Sequence, residues 1–173
     1  MAQNTSGIDR DWSSVSIEMA AQILRQGELF LQAQLQAGIA ADQRAAQTGG
    51  IFTTLSTAVL ASTLAYSAMT GSQQKLVAAG ISTFFVMLLG AAVALYSARP
   101  TKFYFVGNHP EKWFSVAEQT SLANELMGEA ENYQDRIEVN ARILRENGEL
   151  LKWANRLVVL APVAGFSTWL FWS

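Results

Sequence analysis

Hydrophobic residues recur at helical spacing from about residue 15 to residue 47, and Gln, Glu and Arg fill the other face. This pattern predicts one long amphipathic helix, with Ser13 or Ser14 as its N-cap. The larger apolar residues of this segment are Ile17, Met19, Ile23, Leu24, Phe30, Leu31 and Leu35.

Two uncharged runs follow, residues 48–70 and residues 76–98, and the short polar turn between them carries Lys75. Each run is long enough to cross ~30 Å of hydrocarbon, which takes about 20 helical residues. They predict a transmembrane hairpin, and a buried soluble hairpin is the alternative. The first run is rich in Ser and Thr, which either pack helices closely or line a pore.

A charged helical pattern resumes from residue 113 to residue 156, with two apolar rows at heptad spacing. These rows predict a seam that joins copies of the chain into a homo-oligomer. The alternative is that the first helix covers the seam within one chain. Gly128 and Gly148 are possible breaks in this helix. The seam residues are Tyr133, Ile137, Leu144 and Leu151.

Asn140 and Asn147 fall on the same seam. A buried Asn in such a position lowers stability but fixes the register and the number of helices. Both side chains therefore either specify an oligomer or face solvent or a neighbouring helix.

The last run, residues 157–172, is uncharged and short for a span, and Pro162 would kink it. We interpret it as a third span, with a re-entrant or interfacial helix as the alternative. Lys and Arg flank the hairpin at its outer ends, so the positive-inside rule places the N-terminus in the cytoplasm and the C-terminus outside.

The predicted fold is an all-α protein of the bacterial inner membrane. Two long cytoplasmic amphipathic helices stand on a transmembrane hairpin and a third, C-terminal span. The predicted segments are the N-terminal helix 1–47, the hairpin 48–98, the loop and heptad helix 99–156 and the last span 157–173.

The composition restricts the kinds of functional site that the chain can form. Only 15% of residues are charged and the net charge is −2, so no basic surface for nucleic acid is expected. Cysteine is absent, and His109 is the only histidine, which excludes thiolate and multi-histidine metal sites. We expect no enzymatic activity, no metal and no cofactor.

The Arg-rich stretch of the heptad helix is the candidate contact surface for a ligand or partner, because phosphates are well bound by Arg guanidinium groups. Simple surface pairing with nearby glutamates is the alternative for these cations. The candidate contacts are Arg136, Asn140, Arg142 and Arg145.

Asp42 and Arg44 lie where the first helix enters the first span. Arg44 can extend to the lipid headgroups, and Asp42 so close to lipid needs a cationic partner, which is either Arg44 or a basic residue of another helix. The two residues are either a simple membrane anchor or a gate that couples the cytoplasmic helix to the span.

The chain resembles the small transmembrane effectors of bacterial cyclic-nucleotide antiphage systems of the Pycsar and CBASS kinds. The resemblance lies in the order of helices, in the Asp42-Gln43-Arg44-Ala45 run, which is similar to an Asp-x-Lys-Ala motif, and in Tyr133-Gln134-Asp135-Arg136-Ile137 before Asn140. It implies an effector that disrupts the membrane after a nucleotide or partner signal. A structural or accessory membrane subunit, which docks a partner through its cytoplasmic helices, is the alternative.

Overall fold

The computed structural model describes Trp12 and residues 14–70, 74–107 and 122–171, and the regular structure among them is entirely helical. The helices are α1 (Ile17–Thr70), α2 (Gln74–Ser97) and α3 (Leu122–Phe171). His109 and the predicted start of the heptad helix, residues 113–121, lie outside the described residues.

Helix α1 begins two or three residues later than the sequence suggests. The Ser16 hydroxyl accepts a hydrogen bond from the Met19 backbone N–H at 3.2 Å, so Ser16 is the N-cap rather than Ser14. Ser13 lies outside the described residues. Helix α1 has 54 residues and continues without interruption past residue 47. The charged residues end before that point, but the backbone hydrogen bonding of the helix does not.

Helix α2 ends at Ser97, just before the first charged residue after its apolar run, Arg99. The Ala98 and Arg99 N–H groups donate to the Leu95 and Tyr96 carbonyls at 3.1 and 3.2 Å, which tightens the last turn. Pro100 then has no N–H to continue the helix.

Helix α3 is continuous over 50 residues, so the expected breaks at Gly128 and Gly148 do not occur. Pro162 is accommodated inside the helix. At about 1.5 Å per residue, α3 is roughly 75 Å long, far more than a bilayer requires.

All three helices are long and apolar enough to cross a membrane. Only 6% of the candidate window in α1, and 17% in each of α2 and α3, is buried within the chain. A buried soluble hairpin would cover most of these apolar side chains. The exposed apolar surface fits a membrane protein, in which lipid covers it.

The chain divides into two compact units. We call residues 1–36 with 103–141 the charged unit, and residues 37–102 with 142–173 the span unit. The core of the charged unit is built on Ala20, Ala123 and Met127, with Trp12, Val15 and Leu126 packed against it.

Small residues form the core of the span unit, and α2 is the helix that both others approach. A Cβ on Gly49 would lie 2.7 Å from the Leu95 side chain, and one on Gly90 would lie 2.6 Å from Val158 Cγ2. Close approach of this kind is how membrane helices gain van der Waals contact without a hydrophobic driving force. The fully covered small residues of this unit include Ser56, Ala91, Ala94, Ser97, Ala154 and Ala161.

Candidate functional site

The most organised polar structure in the charged unit is a clasp between the segment after α2 and helix α3. Asn140 is fully buried, and its side-chain amide pairs with the backbone of Tyr104. The Tyr104 N–H donates to Asn140 Oδ1 at 2.9 Å, and Asn140 Nδ2 donates to the Tyr104 carbonyl at 2.9 Å. One side chain thus satisfies both backbone groups of an extended residue, as a neighbouring strand would.

Gly107 forms the second half of the clasp. Its N–H donates to the Tyr133 hydroxyl at 3.1 Å, and its carbonyl accepts from Arg136 Nη1 at 3.4 Å. The backbone at Gly107 has φ +95°, a conformation that glycine adopts without strain. Burial raises the pKa of the Tyr133 phenol, so this hydroxyl stays neutral.

Arg136 has several partners in this arrangement. Its guanidinium lies 3.8 Å from the buried carboxylate of Glu129 and 5.3 Å from the Tyr133 ring centroid. At 3.8 Å the attraction to Glu129 is electrostatic, because the separation exceeds hydrogen-bond length. Arg136 is therefore part of the clasp, and a ligand phosphate would have to compete for it.

Helix α1 covers the seam in the charged unit. Gly27 lies against Tyr133. A Cβ added at Gly27 would be 3.4 Å from the Cβ of Tyr133. Gln34 Nε2 donates to the Ile137 carbonyl at 3.0 Å, and Gln34 is itself buried. Of the two sequence interpretations, these contacts favour the one in which the first helix covers the seam within one chain.

The heptad rows keep their inward orientation in the span unit. Asn147 and Ala154 are buried, and Leu144 and Leu151 are half-buried. Asn140 and Asn147 thus both avoid solvent. Whether copies of the chain associate remains a prediction, and Ile137, Leu144 and Leu151 are only partly available for it.

Arg142 and Arg145 are exposed and one helical turn apart on α3. They belong to the span unit, whereas Arg136 and Asn140 belong to the charged unit. Among the described residues, Arg142 and Arg145 form no ion pair with a glutamate, so the surface pairs expected there are absent.

Asp42 and Arg44 do not contact each other. Residues two apart on a helix point in different directions, and no ion pair involves either residue within the described part of the chain. Arg44 is exposed and Asp42 is half-buried. The cationic partner expected for Asp42 is therefore not Arg44.

Many Ser and Thr hydroxyls of the spans donate to carbonyls of their own helices. Thr53 donates to the Gly49 carbonyl at 2.8 Å, and Thr83 donates to the Ala79 carbonyl at 2.9 Å. A hydroxyl satisfied in this way does not need water. The same bond is made by Thr54, Ser56, Thr57, Thr63, Ser97, Ser167 and Thr168.

Two of these threonines also lie at helix contacts. Thr63 packs on Gly80, and Thr83 packs on Gly165. Beside them, an uncharged cleft of about 670 Å³ opens among the three helices, with Tyr66, Phe166 and Trp169 in its walls. These contacts favour helix packing over pore lining for the hydroxyl-rich face of a single chain.

Sequence reasoning missed the roles of Tyr104, Gly107 and Gln34. Only Gly107 carried a signal, since an isolated Gly in an aromatic segment suggests an unusual backbone angle. The sequence marked Arg99 only as a basic residue at the end of the hairpin, and the structure places its guanidinium 4.0 Å from the Tyr96 ring centroid. The pairing of an aromatic residue and Arg three positions apart at a helix end was the available signal.

Comparisons of the chain with protein-family models, with curated proteins and with solved structures find no match, so the geometry alone supports any functional conclusion.

Proposed function

We propose that this chain is a membrane-resident effector that oligomerises and permeabilises the bacterial inner membrane in response to a nucleotide or partner signal. The observation that carries the proposal is the continuity of α1 and α3. Each helix begins among charged residues and ends in an uncharged span without a break. A movement of either helix at its charged end must therefore be passed to its span.

In the described part of a single chain, nine span hydroxyls are bonded to carbonyls of their own helices and small side chains fill the helix contacts, which does not favour a water-filled path. Permeabilisation therefore requires several copies or a rearranged state. An effector of this kind is harmless until it is activated, which suits a protein that disrupts its own membrane.

The clasp is the element that can exist in two states. It consists of three hydrogen bonds and one longer contact from Arg136, and each bond contributes about 1 kcal/mol net. Opening it would take a few kcal/mol, which a ligand supplies by binding one state ~10²-fold or more tightly. The exposed pair Arg142 and Arg145 is our candidate contact for the phosphates of a cyclic nucleotide.

We expect liposomes that contain the wild-type protein to release trapped dye when the activating cyclic nucleotide is added. Arg142→Ala with Arg145→Ala should reduce nucleotide binding and leakage about tenfold or more, since two charge-assisted contacts are lost. Arg25→Ala, which removes an exposed cation from α1, is the matched control and should leak normally. Arg44→Ala should bind nucleotide but leak less, if Asp42 and Arg44 couple helix to span.

A protein that never leaks, under any nucleotide tested or under phage challenge in cells, would contradict the effector proposal. The structural or accessory subunit would then replace it.

Oligomerisation has a candidate surface that differs from the seam. Met19, Ile23 and Phe30 on α1 are 57%, 39% and 54% exposed, although they lie outside the uncharged run. A row of large exposed apolar residues outside the membrane indicates a contact surface. A second copy of the chain is the occupant that the effector proposal requires, and a different protein is the occupant in the accessory-subunit alternative.

We expect Ile23→Glu with Phe30→Glu to convert the oligomer into a monomer in mild detergent, as measured by light scattering after gel filtration. The reason is that two carboxylates cannot be buried unpaired in an apolar contact. Gln22→Glu with Gln32→Glu adds the same charge at exposed polar positions of α1 and should leave the mass unchanged. A wild-type protein that is strictly monomeric in bilayers would exclude homo-oligomerisation.

A further inference from the structure

A second cavity in the span unit, of about 450 Å³, lies where α2 ends and before α3 becomes uncharged. Tyr96 and Arg99 contribute from the end of α2, and Arg145, Glu146 and Trp153 contribute from α3. Arg156 is the last charged residue of α3. The cavity therefore lies at the boundary between hydrocarbon and water, at the level of the lipid headgroups.

Arg99 is held in this cavity in an unusual environment. Its guanidinium lies over the Tyr96 ring, and its Nη1 atom is buried without a hydrogen-bond partner. A partly buried cation that lacks an anion is unfavourable, so an anionic group that enters the cavity would gain interaction energy. Arg145 lines the same cavity and is exposed, with no ion pair among the described residues.

The carboxylates of the cavity differ in their partners. Glu149 accepts a hydrogen bond from Lys152 at 2.7 Å, and this bond lowers the pKa of Glu149. Glu146 has no cationic partner within the described part of the chain. The groups left for a ligand are thus two guanidinium groups and one carboxylate.

Two aromatic side chains flank these charges. Tyr96 and Trp153 are 57% and 56% exposed, and Arg156 lies 4.8 Å from the Trp153 ring centroid. Tyr and Trp with Arg are the residues that proteins place at the headgroup level of a bilayer.

We propose that this cavity binds the headgroup of an aminophospholipid, with the phosphate on Arg99 and Arg145 and the primary ammonium on Glu146. The charges match in sign, since a phosphodiester accepts from guanidinium groups and an ammonium donates to a carboxylate. The adjacent apolar surface of α2 and α3 leaves room for the acyl chains in the surrounding bilayer. The proposal depends on the membrane location, and it shares only Arg145 with the proposed nucleotide contact.

The test is lipid binding to the full chain in detergent micelles, measured by native mass spectrometry with added phosphatidylethanolamine, phosphatidylcholine or phosphatidylglycerol. We expect the wild type to prefer phosphatidylethanolamine about tenfold over phosphatidylcholine, whose quaternary ammonium has no N–H to donate. Glu146→Gln should abolish that preference and retain phospholipid binding. Arg145→Gln, at an exposed position, should weaken binding of every phospholipid.

Arg99→Gln should have the same effect as Arg145→Gln, and circular dichroism would show that each variant keeps its helices. Lys75→Gln removes an exposed cation at the other end of α2 and should change nothing. Equal binding of phosphatidylethanolamine and phosphatidylcholine by the wild type, or a preference for phosphatidylglycerol, would overturn the proposal. Binding of soluble phosphoethanolamine as tight as that of the lipid would overturn the lipid assignment.

Discussion

Gly165→Ala should destabilise the span unit by about 1–3 kcal/mol, the usual effect of forcing one carbon into a packed contact. A Cβ at this position would collide with the Thr83 hydroxyl and would lie 3.0 Å from the Ala79 carbonyl oxygen. Thr83 cannot turn away freely, because its hydroxyl is bonded to that same carbonyl. The measurement is thermal unfolding in mild detergent, followed by helical circular dichroism.

The control for this variant lies on the same helix. A Cβ on Gly148 would have no atom within 4 Å, so Gly148→Ala should gain about 0.5–1 kcal/mol from the lower chain entropy of alanine. The same substitution on one helix is thus expected to have opposite signs at two positions. Equal effects at Gly165 and Gly148 would show that α2 and α3 do not pack at Gly165.

Asn140→Leu should release the segment after α2 from helix α3. Leucine fills a similar volume, but it leaves the Tyr104 N–H and carbonyl without their partner. Each unsatisfied buried group costs about 1–3 kcal/mol, and the part that water can reach costs less. We expect a lower unfolding temperature and faster trypsin cleavage after Lys102, which is exposed and outside the helices.

Asn132→Leu is the matched control, because Asn132 is exposed on the same helix and makes one weak bond to Glu129 at 3.3 Å. Its effect should stay within about 0.5 kcal/mol. If trypsin cleaves the Asn140→Leu and Asn132→Leu variants at the same rate, the clasp does not hold the segment after α2 against helix α3.

The spans could be predicted from the sequence because the exclusion of charge from hydrocarbon is a strong constraint on composition. Apart from Lys75 in the turn, no charged residue lies between Arg44 and Arg99, and the end of α1 and both ends of α2 lie within about two residues of the limits of the two uncharged runs. The continuity of α3 was harder to predict, because Gly128 and Gly148 weaken a helix without breaking it. Each costs about 1 kcal/mol relative to alanine, which flanking residues of high helix propensity offset.

The clasp could not be predicted from periodicity. Heptad spacing shows that Asn140 is turned towards a neighbour, but the neighbour is an extended segment with no repeat of its own. A bond from a side chain to a distant backbone group has no sequence signature, because any residue can supply the backbone. For the same reason, the hydrogen bond from Gln34 to Ile137, 103 positions away, could not be predicted from the sequence.

The uninterrupted course of α1 has a consequence for how the chain can change in length. Each residue added to a helix turns everything after it by about 100°, because a turn contains 3.6 residues. One extra residue between Gln36 and Thr48 would therefore rotate Gly49 by about 100° around the helix axis relative to Gln34, whereas an insertion of seven residues would nearly restore the phase. Homologous chains should accordingly vary in this stretch by three or four residues or by seven.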